Sequence, residues 1–318
     1  MSWSSTQEAV VADCEEERNW LDLPRDVVCT IFQKLGAIEI LTRAQRVCSV
    51  WRGISKEPLL WRTIDMRNSG DIETNFVFLA MCHRAIDYSS GHLLHINIEY
   101  FATDDLLRHI THSTSNLRSL RLACCYQISD EGLCEIAKEL PQLEELDISI
   151  SSFNPTRDPL EAVGRCCRHL KTLKFNMKGY RRPHIECDEE AFAIAETMPT
   201  LHHLQLFGNK LTNEGLLAIL DGCPHLESLD LRQCFNVNLA GSLGKRCAEQ
   251  IKELRLPCDP TDDCPFEADV DYGSLDEDSS AISDIDFLSD DDYDYYEFSG
   301  GSDFSDYDFD SDPDYYGL

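Results

Sequence analysis

Cysteine is the residue type in this sequence whose spacing could most readily support chemistry, through a metal site or a redox pair. The chain has 15 cysteines, an odd number, and two adjacent pairs, Cys124-Cys125 and Cys166-Cys167. No CxxC pair occurs and no Cys/His set has zinc-ligand spacing, so we expect free thiols in a reducing compartment. Because buried cysteine often serves as a small apolar residue in repeat cores, the sequence favours packing over metal binding or catalysis for both pairs.

Sequence signatures of other catalytic sites are missing as well. The chain has no nucleophile elbow, phosphate-binding loop, metalloprotease helix or dinucleotide-binding glycine pattern, and no histidine has ligands at workable spacing. We therefore predict that the protein is not an enzyme, uses no metal or cofactor, and acts by binding other molecules.

The net charge is large and unevenly distributed. It is −30 at pH 7, but 22 of the 58 acidic residues follow residue 256, where there is no Lys or Arg, so the preceding chain carries only −8. This balance argues against nucleic acid or an anionic membrane as the main partner, because both require a basic face. The N-terminus lacks the pattern of a signal or transit peptide, and no stretch approaches membrane-spanning length. We predict a soluble nuclear and/or cytoplasmic protein with a protein partner.

An internal repeat determines the architecture of the middle of the chain. The spacing Leu-x-x-Leu-x-Leu, with Ile or Phe substituting, occurs seven times at steps of 24 to 31 residues. Its copies begin at Leu93, Leu117, Leu143, Leu170, Leu201, Leu226 and Ile251. Each copy alternates apolar and variable positions, as a half-buried strand does, and most are followed by apolar residues at helical spacing. We predict an α/β solenoid with one strand and one helix per repeat.

The repeats resemble the cysteine-containing class of leucine-rich repeats. In the copy LRSLRLACCYQISDEGLCEIAKELPQ, Cys125 lies three residues past Leu122, and Asn209 takes this position in the copy from Leu201. In that class, the Asn or Cys after the strand satisfies backbone groups at the bend. An ordinary α/β sheet is disfavoured, because such short strands at a nearly constant step fit stacked repeats better.

Residues 20–64 form a different unit, which lacks the strand-turn-helix period. Pro24 can start a helix and Gly36 can end it, and a second helical face follows from Leu41 to Ile54. Of these 45 residues 23 are apolar, too many for so small a helical domain to bury on its own. Part of this surface should therefore face a partner, although a helical cap on the open end of the solenoid is an alternative.

The segments LPRDVVCTIF, VCSVW and PLLWRTID resemble the F-box, and the whole chain is similar to plant F-box/leucine-rich-repeat proteins of the Skp-interacting type. In that family the F-box binds the Skp adaptor, which links to a cullin. The resemblance implies the substrate-recognition subunit of an SCF-type (Skp-cullin-F-box) ubiquitin ligase, which binds a protein target for ubiquitination and degradation. It implies adaptor contacts at Leu23, Pro24, Ile31, Leu35, Val47, Cys48 and Trp51, and an interior position for Trp61. The alternative is a scaffold or inhibitor outside any ligase, with the F-box as a cap.

The concave face of the solenoid is the expected target site, because the variable positions between the buried leucines line it. Arg121, Asp147 and Lys174 should lie on neighbouring strands. They either bind the target or pair only with one another along the surface, and the sequence favours neither alternative. Phe207 should be exposed on this face, and the longest step between repeats predicts a protruding, arginine-rich loop. The candidate target contacts are Arg121, Lys174, Tyr180, Arg182, Phe207 and Arg232.

Composition sets the remaining boundaries. We predict a disordered N-terminus over 1–18, an F-box of three helices over 19–66, a connecting or capping helix over 67–92, a solenoid of about seven repeats over 93–257 and a disordered acidic tail over 258–318. The tail mixes Asp with Ser, Gly and aromatic residues and has no helical or strand period. It either solubilises the protein or folds back as an acidic strap onto Arg121, Lys174, Arg232 and Arg255.

Overall fold

The computed structural model describes residue 20 and residues 23–67, 75–149, 157–177 and 186–264. Residues 1–18 and the tail from residue 265, which the sequence predicts to be disordered, lie outside this part of the chain. Helices α1 to α10 span Arg25–Leu35, Ala37–Thr42, Ser49–Ser55, Asn75–Ser89, Asp104–Ser113, Asp130–Glu139, Arg157–Cys166, Glu189–Thr197, Asn213–Gly222 and Ser242–Gln250. Strands β1 to β8 span Thr63–Met66, His95–Glu99, Ser119–Ala123, Glu145–Ser149, Thr172–Asn176, His203–Gln205, Ser228–Asp230 and Glu253–Arg255. None of the described helices is long and apolar enough to cross a membrane.

One parallel sheet runs through the described repeats. Strands β1 to β8 pair in chain order, and equivalent leucines align across the strands, as Leu120 does with Leu146. The helical N-terminal domain followed by strand-helix repeats is therefore confirmed. The structure adds a strand before the seven that the sequence predicts, because Ile64 of β1 pairs with Ile96 of β2. In this first copy, Trp61 occupies the position at which the other copies have Leu or Ile, and this hides the pattern.

The strands end in a common bend. The residue seven positions past the first leucine of the repeat has left-handed backbone in four repeats, at Tyr100, Cys124, Gly208 and Gln233, with φ between 53° and 74°. The Cys234 thiol, at the next position, donates to the Leu206 carbonyl at 2.8 Å, and the Asn209 Oδ1 accepts from the Leu211 N–H at 2.8 Å. Burial raises the pKa of the equivalent Cys125 thiol to about 12. The predicted role of Cys and Asn in satisfying backbone groups is confirmed, and these thiols are packing residues.

Aspartates on the helical side tie neighbouring repeats together. Asp104 accepts the N–H and the hydroxyl of Ser129 at 2.9 and 2.6 Å, and Asp188 does the same for Thr212, at 2.7 Å each. Ser129 and Thr212 cap helices α6 and α9, so each aspartate fixes the start of the helix in the next repeat. A Cβ atom on Gly132 would lie 2.1 Å from Oδ1 of Asp104, so only glycine permits this approach.

The N-terminal helices pack directly on the start of the sheet. Helix α1 begins after Pro24 and ends before Gly36, whose φ of 83° suits glycine. Trp61 is buried as predicted, and its indole N–H donates to the Ser55 carbonyl at 2.8 Å. Its ring lies 5.7 Å from the Tyr88 ring of α4, and both α2 and α4 contact β1. The helical domain therefore covers the open end of the solenoid.

Candidate functional site

The outer surface of the helical domain carries large apolar side chains in water. Three of the predicted adaptor contacts, Pro24, Leu35 and Val47, are exposed, and Val47 keeps 59% of its surface accessible. Val50 and Leu59 are equally open, although the sequence did not single them out. A small domain with a complete core that still exposes this much apolar surface is expected to bury it against a partner.

The other predicted adaptor contacts support this surface from beneath. Leu23, Ile31 and Trp51 are partly buried and pack against the hydrophobic core. The Trp51 ring meets the Phe32 ring edge-on at 5.3 Å. The Cys48 sulfur accepts the Trp51 N–H at 3.4 Å and so caps α3. These side chains fix the position of α3 against α1, which carry the exposed residues Val50 and Leu35.

A ladder of charges crosses the concave face on β2 to β5. The register places Arg121, Asp147 and Lys174 side by side, as predicted. Arg121 pairs with Glu99 at 3.5 Å and with Asp147 at 3.1 Å, and the Lys174 Nζ lies 3.9 Å from Asp147. Burial raises the pKa of both Glu99 and Asp147. A partner on this face therefore meets alternating charges that are already paired within the protein.

Phe207 and Arg232 are not exposed, and the prediction that they project from the concave face is wrong. Phe207 is 6% and Arg232 is 5% exposed. The Arg232 guanidinium lies 5.8 Å from the centre of the Phe207 ring and covers it. Arg232 is itself paired with Asp230 at 2.7 Å and donates to the Pro260 carbonyl at 3.0 Å. Both side chains are shielded because the chain after β8 folds back over this part of the face.

A groove of about 600 Å³ lies on the C-terminal half of the concave face. Among its lining residues are Lys174, His203, Gln205, Arg232, Arg255 and Asp263. Asp263 pairs with Arg232 and lies 3.4 Å from Arg255, and the hydrogen bond from Arg232 lowers the pKa of Asp263 below its ordinary value. Tyr180 and Arg182, the two predicted loop contacts, lie outside the described residues.

Sequence reasoning missed some residues of both surfaces. Val50 and Leu59 are apolar, as their buried neighbours are. Residue type therefore does not show that they are exposed, and only the packing does. Asp263 belongs by composition to the acidic tail, and no local signal distinguishes it from Asp262. Its pairing with Arg232 and Arg255 is the kind of contact that an acidic strap requires.

The fold and its two surfaces define a leucine-rich-repeat protein with an F-box-like helical domain at its N-terminal end. A family model for F-box-like domains matches residues 20–67, and a leucine-rich-repeat model matches residues 114–137 and 197–220. In Arabidopsis thaliana, the F-box protein SKIP19 is 50% identical over 309 residues, which cover 96% of this chain and 98% of that protein. The putative F-box/LRR-repeat protein 21 from the same plant is 46% identical, over 79% of this chain and 86% of that one. The chain belongs to this F-box/leucine-rich-repeat family.

Similarity to solved structures is weaker. The yeast Rad7 and Elc1 complex matches with a TM-score of 0.40 and 15% identity, over 74% of this chain and 69% of that chain. A match at this level adds nothing to the family assignment.

Proposed function

We propose that this chain is the substrate-recognition subunit of an SCF-type ubiquitin ligase. Its F-box binds a Skp adaptor that links to a cullin, and its leucine-rich repeats bind a protein target for ubiquitination and degradation. Membership of the F-box/leucine-rich-repeat family supports this role, since such proteins are typically non-catalytic adaptor subunits. The observation that carries the proposal is the exposed apolar surface around Val47 and Val50, beside a complete core.

The packing of the F-box on the sheet suits a positioning role. Because α2 and α4 both contact β1, the adaptor surface and the concave face are held by one continuous core. A fixed geometry raises the effective concentration of a target near the transferred ubiquitin, and this lowers the barrier without a catalytic side chain on the receptor. We also propose that the protein acts in the nucleus and/or the cytoplasm.

Adaptor binding is the direct test of the proposal. Val47→Glu places a charge in the apolar surface, where an unpaired buried carboxylate is costly, so we expect at least about tenfold weaker adaptor binding, ~1.4 kcal/mol. Leu217→Glu, at an exposed apolar residue on α9, is the matched control and should bind as the wild type does. Calorimetric titration with purified Skp adaptor measures both. Failure of the wild-type chain to bind, or equal affinities for both variants, would refute the ligase role.

A scaffold or inhibitor that uses the F-box as a cap is the second candidate. One observation favours it: β1 extends the sheet into the helical domain, and Trp61 takes the place of a repeat leucine. Capping and adaptor binding are compatible, because the buried and exposed faces of the domain are different. A wild-type chain that folds normally but does not bind the adaptor would leave the cap as its only role.

We propose the concave face as the target site, with Arg121 and Lys174 as orienting charges and Tyr180 and Arg182 as further target contacts. Affinity purification with mass spectrometry, comparing the wild type with Val47→Glu, separates partners by surface. Ligase subunits should be lost from the variant, whereas targets should be retained. Loss of every partner from the variant would contradict the proposal that the adaptor and the target bind separate surfaces.

A further inference from the structure

Asp263 occupies a site built from two arginines at the C-terminal end of the concave face. Nη1 of Arg232 donates to one carboxylate oxygen of Asp263, and Nη2 of Arg255 lies 3.4 Å from the other. Nη1 of Arg232 also donates to the Pro260 carbonyl at 3.0 Å. Each oxygen of the carboxylate therefore faces a different guanidinium, the arrangement by which proteins bind the carboxylate of a ligand.

The Arg232 half of this site is held in place without Asp263. Its Nε lies 3.0 and 3.1 Å from the two oxygens of Asp230, and Nη2 lies 2.7 Å from one of them. The guanidinium also rests over the Phe207 ring, and the side chain is 5% exposed. A buried arginine fixed on two sides presents its remaining donor in one direction, and this is the preorganisation that a binding site needs.

Asp263 itself is held only loosely. Its side chain is 54% exposed, and that of Arg255 is 52% exposed, so water and a partner can reach both. An ion pair at such exposure contributes little free energy. The segment that carries Asp263 is tied to the repeats through the Pro257 carbonyl, which accepts from the Gln233 N–H at 2.9 Å, and through the Pro260 carbonyl on Arg232. Asp263 can therefore be replaced by another carboxylate while the two arginines remain in place.

We propose that Arg232 and Arg255 form a carboxylate-binding site on the target-binding face, that Asp263 fills it in the free protein, and that an acidic side chain of the protein target displaces Asp263. The inference rests on the proposed function in that the target uses the concave face. Because Asp263 is tethered, its effective concentration is on the order of millimolar, so it excludes weak acidic peptides. A target must make further contacts to displace it, which makes the site a filter for specificity.

A peptide supplied in trans tests the site in the full-length chain. The probe is a fluorescein-labelled peptide with the sequence of residues 259–268 and Cys264→Ser. We expect Asp263→Asn to bind it about two- to fivefold more tightly than the wild type, consistent with one partly exposed ion pair. Asp262→Asn, at the exposed neighbouring carboxylate, is the matched control and should bind as the wild type does. Adding Arg255→Gln to Asp263→Asn should remove the gain.

Wild-type protein gives a second measurement that depends on no substitution. Displacing Asp263 should expose Cys264, so an unrelated 12-residue peptide of Ser and Glu, supplied well above the millimolar effective concentration of Asp263, should raise the rate of Cys264 alkylation several-fold, as measured by mass spectrometry. A Ser/Gln peptide of equal length is the control, and buried Cys247 is the internal reference.

Equal peptide binding by Asp263→Asn and Asp262→Asn would overturn the site if both variants melt at the wild-type temperature. An unchanged rate of Cys264 alkylation with the Ser/Glu peptide would overturn the displacement. Neither experiment contains the adaptor. Their failure therefore leaves the ligase role standing, and loss of adaptor binding would leave this site standing.

Discussion

The outer surface of the F-box exposes unburied apolar side chains, whereas the concave face of the repeats carries charged side chains that are paired with one another. Val47 and Val50 are exposed to water, with 59% and 57% of their surface accessible. On the concave face, Arg121 is paired on both sides, by Glu99 and Asp147. Burial of apolar area yields about 25 cal/mol per Å², whereas paired charges contribute mainly orientation and selectivity. The F-box is thus suited to a constant partner, and the concave face to discrimination among targets.

The largest expected effect tests whether the apolar excess of the F-box is divided between a core and a binding surface. Trp61 is 1% exposed, so Trp61→Ala should lower the free energy of unfolding by about 3–5 kcal/mol through the cavity that it leaves. Val47→Ala, at an exposed position, should stay within about 0.5 kcal/mol of the wild type. Urea denaturation measures both. Equal midpoints for the two variants would mean that core and surface are not distinct.

A pair of glycine substitutions sharpens the contrast in packing between the two regions. A Cβ atom on Gly222, at the end of α9, would lie 2.2 Å from the Ala195 carbonyl oxygen, whereas one on Gly53 of α3 would meet nothing within 4 Å. Gly222→Ala should therefore destabilise the solenoid by about 1–3 kcal/mol through overpacking. Gly53→Ala should stabilise the F-box by up to about 1 kcal/mol, because alanine favours helix. Thermal unfolding measures both, and shifts of the same sign would contradict the prediction.

The smallest effect concerns the pH dependence of the concave ladder. Burial raises the pKa of Asp147 above its ordinary 3.8, so the folded state holds this proton more tightly than the unfolded state does. The contribution of Asp147 to stability is therefore complete below pH 3.8 and is lost as the pH rises through the higher folded-state pKa.

Asp147→Asn should remove this dependence. The difference in free energy of unfolding, wild type minus variant, should fall as the pH rises from below 3.8 to 7. Urea midpoints measured across that range test the sign. A difference that stays constant, or one that grows with pH, would show that pairing with Arg121 outweighs burial.

The repeats were predictable because their signal is local and periodic. Leu120, Leu146 and Leu173 each sit at the same place in a short strand, so alternation alone identifies the buried face. The first strand was missed because Trp61 and Met66 replace leucine. The pattern of residue types is therefore lost, although β1 pairs with β2 in the same register as the later strands do. The side-by-side arrangement of Arg121, Asp147 and Lys174 was predictable because the three residues occupy the same position in successive repeats.

The sequence by itself determined seven of the eight described strands, the inward face of each of these strands and the apolar excess of the F-box. Only the tertiary structure decided that Val47 faces water, that Phe207 is covered, and that Asp263 reaches Arg232. The physical reason is that periodicity reports the polarity of one segment, whereas exposure depends on which other segments pack over it. A residue such as Arg232, remote in sequence from its partner Asp263, can be judged only once both are folded together.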